Sequence, residues 1–416
     1  MKDFSISKIT SFERAAELIP DGACITVSSS SGLNCPDKML QAIGERFKQE
    51  GSPKGITSIH PIAAGDLYGI DGIEHLVIDG LLSCVIAGSL PSGPSTKAMP
   101  KIWQSIIENK IKAYNLPSGV IFDMHRDAAV FKPGVITQVG MGTYVDPDQE
   151  GGAMNDLAKQ SPMVKKINFE GDSWLHFKKI LPEVAIIRGS TSDELGNISF
   201  ELEGAFLGAL DQAICVRNRG GIVIVQVKRV VSSGSIKTQD VHIPSHLVDH
   251  VVVDSEQMQT TQTNYNPAIS GEIRVPDSAI SRIDMSVEKV IAKRAAQELK
   301  KGDTANLGFG ISANVPRIML EEGRTNDVTW AIEQGAVGGV PMLGFAFGCS
   351  ANANAIMRSS DQFTYFQGGG FDISFLSFLQ IDQYGNVNVS KLAGKPYLTA
   401  GCGGFIDIIN RAKRIV

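Results

Sequence analysis

The sequence predicts an α/β protein made of two copies of one three-layer α/β/α unit with mainly parallel sheets, the second copy incomplete at its C-terminus. Three observations lead there. Segments recur at long separation along the 416 residues, and each recurring segment reads as helix, stop, strand, glycine- or serine-rich turn and helix. The chain also carries 43 glycines against 7% aromatic residues, which suits the tight connections between such elements. Strands alternating with helices imply parallel pairing, with ligand loops at the carboxyl ends of the strands.

The first recurrence sets Arg14-Ala15-Ala16, Gly22, Asn34-Cys35-Pro36 and Leu40 against Arg294-Ala295-Ala296, Gly302, Asn314-Val315-Pro316 and Leu320, 280 positions apart. In the later copy Val287, Val290, Ile291, Ala295 and Leu299 form a stripe of helical period, and Gly302 beyond them suits a left-handed cap. Thr304 to Leu307 suits a short buried strand, and Asn314 with Pro316 supplies an N-cap and a first-turn proline for the next helix. Ile59-His60 and Gly65 match Ile332-Glu333 and Gly338 at a separation of 273; Asp193 to Ile198 match Asp382 to Val387 at 189. The first copy thus holds 84 additional residues between Gly65 and Asp193, including the glycine-rich stretch Gly140 to Gly152. These registers divide the chain at residues 1–285 and 286–416. The second half stops where Arg414-Ile415-Val416 would enter the strand matching Gly221 to Val225, so the repeat predicts a half short by about 90 residues.

Composition narrows the function. A formal charge of −5 offers no basic field to gather nucleic-acid backbones. The six cysteines stand far apart with no pair spaced for zinc or redox chemistry, as expected in a reducing compartment. Charges recur every few residues at the N-terminus, and no stretch approaches the roughly 18 apolar residues of a membrane span, which reads as a cytoplasmic protein.

Glu333 ends an apolar run just before the turn Gly335-Ala336-Val337-Gly338-Gly339, where α/β sheets present functional groups. A poorly solvated carboxylate there is a stronger nucleophile; a cap on the following turn is the alternative reading. Three glycine clusters accompany it: Gly308-Phe309-Gly310, Gln367-Gly368-Gly369-Gly370, and Gly401 with Gly403-Gly404. Such runs let backbone N–H groups approach a phosphate or an oxyanion. His60 holds the repeat position of Glu333 and is read as structural. His242, His246 and His250 fall in a turn feeding a strand, which scatters them, so no metal is expected.

Taken together, Asn306 to Ile311, Glu333-Gln334-Gly335, Phe366 to Asp372, Asp382 to Val387 and Gly401 to Asp407 resemble family I coenzyme A transferases. The branch that they resemble is the single-chain one of acetate and propionate CoA-transferases, with fused α-like and β-like halves on a scaffold akin to sugar-phosphate isomerases. Lys112 to Val120, Gly140 to Pro147 and Ile243-Pro244 with Leu247 to Asp249 agree in the first half. The resemblance implies Glu333 as the residue attacking the thioester, Gly403 and Gly404 as oxyanion donors, and Asn306, Gly308, Phe309, Gly310, Gln367 to Gly370 and Gly401 in CoA binding. It also implies transfer from a short-chain acyl-CoA to an acid such as acetate through a glutamyl-CoA thioester, CoA as substrate with no resident cofactor, and a homo-oligomer. Two features depart from the family pattern: Ser28 to Ser31 with Gly32 replace a glycine-rich turn, and the chain ends at Val416. An acyl-CoA hydrolase and a non-catalytic binding protein are the rival readings.

Overall fold

The computed structural model describes residues 8–91, 99–390, 392 and 401–416. The strands run β1 (Cys24–Val27), β2 (Ile56–His60), β3 (Leu82–Ala87), β4 (Lys112–Asn115), β5 (Val184–Arg188), β6 (Ile222–Val227) and β7 (His250–Val253). They form one sheet in the order β7-β6-β5-β1-β2-β3-β4. Every pairing in it is parallel. Strands buried on both faces must be apolar along their length, and Ile-Val-Ile-Val at 222–225 shows it. Helices α1 (Phe12–Glu17) and α2 (Asp37–Glu50) cover one face, and α3 (Ser118–Ala129) and α4 (Ala209–Asn218) the other.

In the later part, α5 (Val287–Ala296), β8 (Thr304–Leu307), α6 (Val315–Glu321), β9 (Thr329–Trp330), α7 (Ser359–Gln367), β10 (Ile373–Phe375) and α8 (Phe405–Ile409) follow. The sheet order is β9-β8-β10, again parallel. Arg414 to Val416 continue it beyond β10: Ser374 N–H donates to Arg414 O, Val416 N–H to Ser374 O and Leu376 N–H to Val416 O. The spatial order 415-β10-β8-β9 therefore repeats β6-β5-β1-β2, strand for strand. The two Asp-x-x-Gly-Asn turns also agree bond for bond. Asp193 accepts from the backbone of Leu195 and Asn197 and from the Asn197 amide. Asp382 does the same with Tyr384 and Asn386. The additional residues of the earlier copy supply β3, β4 and α3, together with an antiparallel sheet of 134–137, 164–169 and 172–178.

An apolar seam joins the two sheets. Ile62, Phe122 and Leu207 from one side pack with Ala331, Phe363, Phe366 and Ile408 from the other. Polar groups reinforce it, since Asp211 on α4 pairs with Arg126 on α3 and Arg358 at the start of α7, and accepts from the Ser360 hydroxyl.

Three local expectations need correcting. Helix α5 stops at Ala296, so Gly302 (φ +92°) serves the turn into β8 and not the helix cap. Its buried residues are Ala292 and Ala296, small enough to lie close to α6, while Val287, Val290 and Ile291 of the expected stripe are exposed. Asn314 does precede α6, but its side chain makes no capping bond.

Candidate active site

Glu333 stands at the tip of a tight turn that follows β9. Ile332 N–H donates to Ala336 O and Gly335 N–H to Ile332 O, closing the turn. Gly335 has φ +112°, and a Cβ there would lie 2.0 Å from Met357 O, so only glycine fits. The carboxyl has no hydrogen bond or ion pair among the described residues. Loss of solvent pushes it up to about 7, against an ordinary 4.5. Gln334 is turned the other way, donating from Nε2 to Ser30 Oγ at 3.1 Å. The serine run thus sits beside the turn that carries Glu333, at the end of β1.

Gly404 touches that carboxyl. A Cβ on Gly404 would come within 2.6 Å of Glu333 Oε2 and 2.7 Å of Phe363. The turn carrying it is stitched to the carboxyl edge of the first sheet. Cys402 N–H donates to Asn115 Oδ1 at 2.6 Å, Gly403 N–H to Gly88 O at 2.7 Å, and Ser118 N–H to Gly403 O at 2.9 Å. Asn115 in turn donates to Ala87 O and Gly88 O. The Gly403 amide is therefore committed, while Gly404 N–H has no acceptor among the described residues.

Helix α8 begins directly after Gly404 and brings in Asp407, which is fully buried. Its Oδ2 accepts from Gly119 N–H at 2.9 Å and its Oδ1 from Gln367 Nε2 at 3.0 Å. The same Nε2 donates to Asp123 Oδ2 at 3.1 Å. Burial is the main force raising Asp407 to about 8, and the charges of Asp123 and Glu333 add to it; burial likewise raises Asp123 to about 6.

The other anticipated residues divide. Gly308, Phe309 and Gly310 do lie at the carboxyl end of β8, beside the strand that leads to Glu333, and Phe309 is 69% exposed. Asn306 is fully buried, donating to Ala331 O and accepting from Ser374 Oγ, and so bridges three strands. Gln367 is the internal link just described. Gly368, Gly369 and Gly370 follow α7 and precede β10, at the amino edge of the sheet and away from Glu333. Gly370 is a packing glycine, since a Cβ would enter the Tyr365 ring at 2.2 Å. Gly401 packs on Asn115 and Gly88.

His60, in the equivalent place of the first sheet, is buried and held neutral by desolvation, with Nε2 on Ser58 Oγ. His242 stacks on Phe206 and His250 opens β7, and no group of three or more metal-ligating side chains occurs among the described residues. Asn115, Asp407 and Phe363 were not singled out from the sequence. Asn115 left one trace there, an amide closing a strand two residues before a proline.

A cavity of about 540 Å³ opens on another face of α8, between Ile406, Ile409 and Asn410 and the glycine-rich segment at Gln138 and Met141. No charged side chain lines it. No helix among the described residues is long and apolar enough to cross a membrane.

A sequence profile described as coenzyme A transferase matches residues 9–254. The chain is 36% identical over 410 residues to acetate CoA-transferase YdiF of Escherichia coli, covering 98% of this chain and 75% of that protein. It is 38% identical over 416 residues to caffeate CoA-transferase of Acetobacterium woodii, covering 99% and 78%. The crystal structure of the YdiF apoenzyme from E. coli O157:H7 superposes with a TM-score of 0.89 over 98% of this chain and 76% of that one, at 35% identity. A thioester complex of that enzyme with CoA gives 0.88, over 98% and 79%.

Proposed function

The chain belongs to the coenzyme A transferase family and is a CoA-transferase; from that premise we propose that Glu333 is its nucleophile, in a ping-pong cycle through a glutamyl-CoA thioester. The observation that carries this reading is the Glu333 carboxyl: poorly solvated, unpaired among the described residues, and in contact with Gly404, whose N–H has no acceptor among them. A carboxylate that has lost its water is easier to bring to a thioester carbon, and a group titrating near neutrality is substantially ionised when it is needed.

In the first step a Glu333 oxygen bonds to the thioester carbonyl carbon and the C–S bond breaks, leaving an acyl-glutamyl anhydride and CoA thiolate. The thiolate then attacks the glutamyl carbonyl carbon and releases the donor acid as its carboxylate. An acceptor carboxylate attacks the resulting glutamyl thioester, forming a new anhydride, and the thiolate takes the new acyl group and frees Glu333. Each stage passes through an oxyanion, for which Gly404 N–H is the donor that we assign; one such donor is worth about 100- to 1,000-fold in rate. The exposed Gly308-Phe309-Gly310 loop is our choice for contact with CoA, and the neutral cavity beside α8 for an uncharged part of the substrate.

We read the donor as a short-chain acyl-CoA and the acceptor as an acid such as acetate; the CoA thioester complex of the E. coli relative supports the covalent intermediate. The division into halves at 1–285 and 286–416, and assembly into a homo-oligomer, belong to the same proposal, the first supported by the matching strand orders. Intact mass spectrometry after incubation with acetyl-CoA alone tests the mechanism. The expected result is a CoA-sized adduct on Glu333 that is lost in Glu333→Ala and discharged by added acetate to acetyl-CoA. No adduct in the native protein overturns the mechanism, and discharge by water alone points to hydrolysis.

A further inference from the structure

Beside the nucleophile lies a second carboxyl for which the cycle above has no use. Asp407 is three residues beyond Gly404, about one helical turn from the contact with Glu333. It is fully buried and faces no cation directly. Gly119 allows nothing larger at this point, since a Cβ there would fall 2.5 Å from Asp407 Oδ1. The groups around Asp407 come from four elements. Asp123 and the Gly119 amide face it from α3 and Gln367 from α7. Glu333 faces it from the turn after β9, and the buried Cys402 thiol belongs to its own turn. Arg126, three residues beyond Asp123 on α3, is engaged with Asp211 and Asp361.

Resting on Glu333 as nucleophile, we infer that Asp407 is its positioning residue: it clamps the Gly401–Gly404 turn to α3 and α7, and it must stay uncharged while Glu333 carries the site's negative charge. The clamp follows from the two hydrogen bonds, which tie the first turn of α8 to both neighbouring helices and so fix where Gly404 lies against the carboxyl. The charge condition follows from the surroundings. Asp407 is fully buried, Glu333 is partly buried, and their charges act on each other, so they give up protons one after the other and not together. Burial is heavier at Asp407, and its upward displacement to about 8 exceeds that of Glu333, to about 7. Glu333 therefore ionises first. Above pH 8 a second negative charge arises beside the developing oxyanion and opposes it.

The test is the pH dependence of glutamyl-CoA formation from acetyl-CoA, followed by rapid quench and mass spectrometry in the full chain. The native rate should rise through pH 7 and fall again above pH 8. In Asp407→Asn, which keeps an amide oxygen for Gly119 and cannot ionise, the alkaline fall should vanish, with the rate at pH 7 within about tenfold of native. Asp407→Ala, which lacks the clamp, should lower the rate about 100-fold at every pH, with the KM for acetyl-CoA within threefold. If the alanine variant does not fold, the native and asparagine profiles decide alone. Native and Asp407→Asn profiles that both climb steadily to pH 9, or both fall alike, overturn the inference while leaving Glu333 as nucleophile. Absence of adduct in the native protein at every pH overturns the nucleophile itself, and the inference with it.

Discussion

At the level of single residues, the site is a matter of one methyl group and one proton. Gly404→Ala places a Cβ where the Glu333 carboxyl now rests, at 2.6 Å. The carboxyl has to swing aside, and a displacement near 1 Å costs about 100-fold in rate. The fold should lose only about 1–3 kcal/mol from overpacking. Adduct kinetics set beside urea unfolding separate the two. The raised carboxyl also bears on stability. Folded Glu333 holds its proton to about pH 7, whereas an unfolded one releases it near 4.5, so stability declines as pH rises between those values. Glu333→Gln removes that decline. Relative to native, its Tm should be unchanged at pH 4 and higher by roughly 2–4 °C at pH 8, which calorimetry at the two pH values checks. Glu333 was legible in the sequence because it ends an apolar run before a glycine turn. Asp407 and Asn115 were not, because their significance comes from Gly119 and Gly88, elements remote in sequence that only the fold brings near. Asn306 and Gln367 misled for the opposite reason: polar residues beside glycines resemble ligand contacts, yet here they satisfy buried neighbours.

At the level of elements, the seam depends on charge as well as on aromatic packing. Asp211 is nearly buried between two arginines and a serine. Asp211→Ala leaves Arg126 and Arg358 with Asp361 as their remaining carboxylate. Both guanidinium groups keep some solvent, so the expected loss is about 2 kcal/mol, read as a lower urea midpoint with an unchanged slope. The order of strands and helices was legible from the recurring segments, since glycine and asparagine recur wherever the backbone turns sharply. Which face of α5 is buried was not. Periodicity marked Val287, Val290 and Ile291, but Ala292 and Ala296 pack against α6 because small side chains let two helices approach. That the glycines before β10 lie at the amino edge of the sheet was not legible either, because composition does not distinguish the two edges.

Across the whole molecule, the two sheets share one strand order, but their functional positions have diverged. The same place holds neutral, buried His60 in one and Glu333 in the other. The 84 extra residues of the earlier copy build β3 and the edge strand β4, and the carboxyl ends of these two strands hold the turn bearing Gly404. Neither sheet alone makes the site. Because the seam reaches Glu333 through Phe363, which like Glu333 lies against Gly404, the loss of solvent at the acid is a property of how tightly the two bodies close. Were they to part by a single layer of water, the acid would be rehydrated, ionise at lower pH and lose its contact with Gly404 in the same movement. Shape and acidity are thus one variable here: the tighter the two bodies close, the higher the pH at which the acid between them ionises.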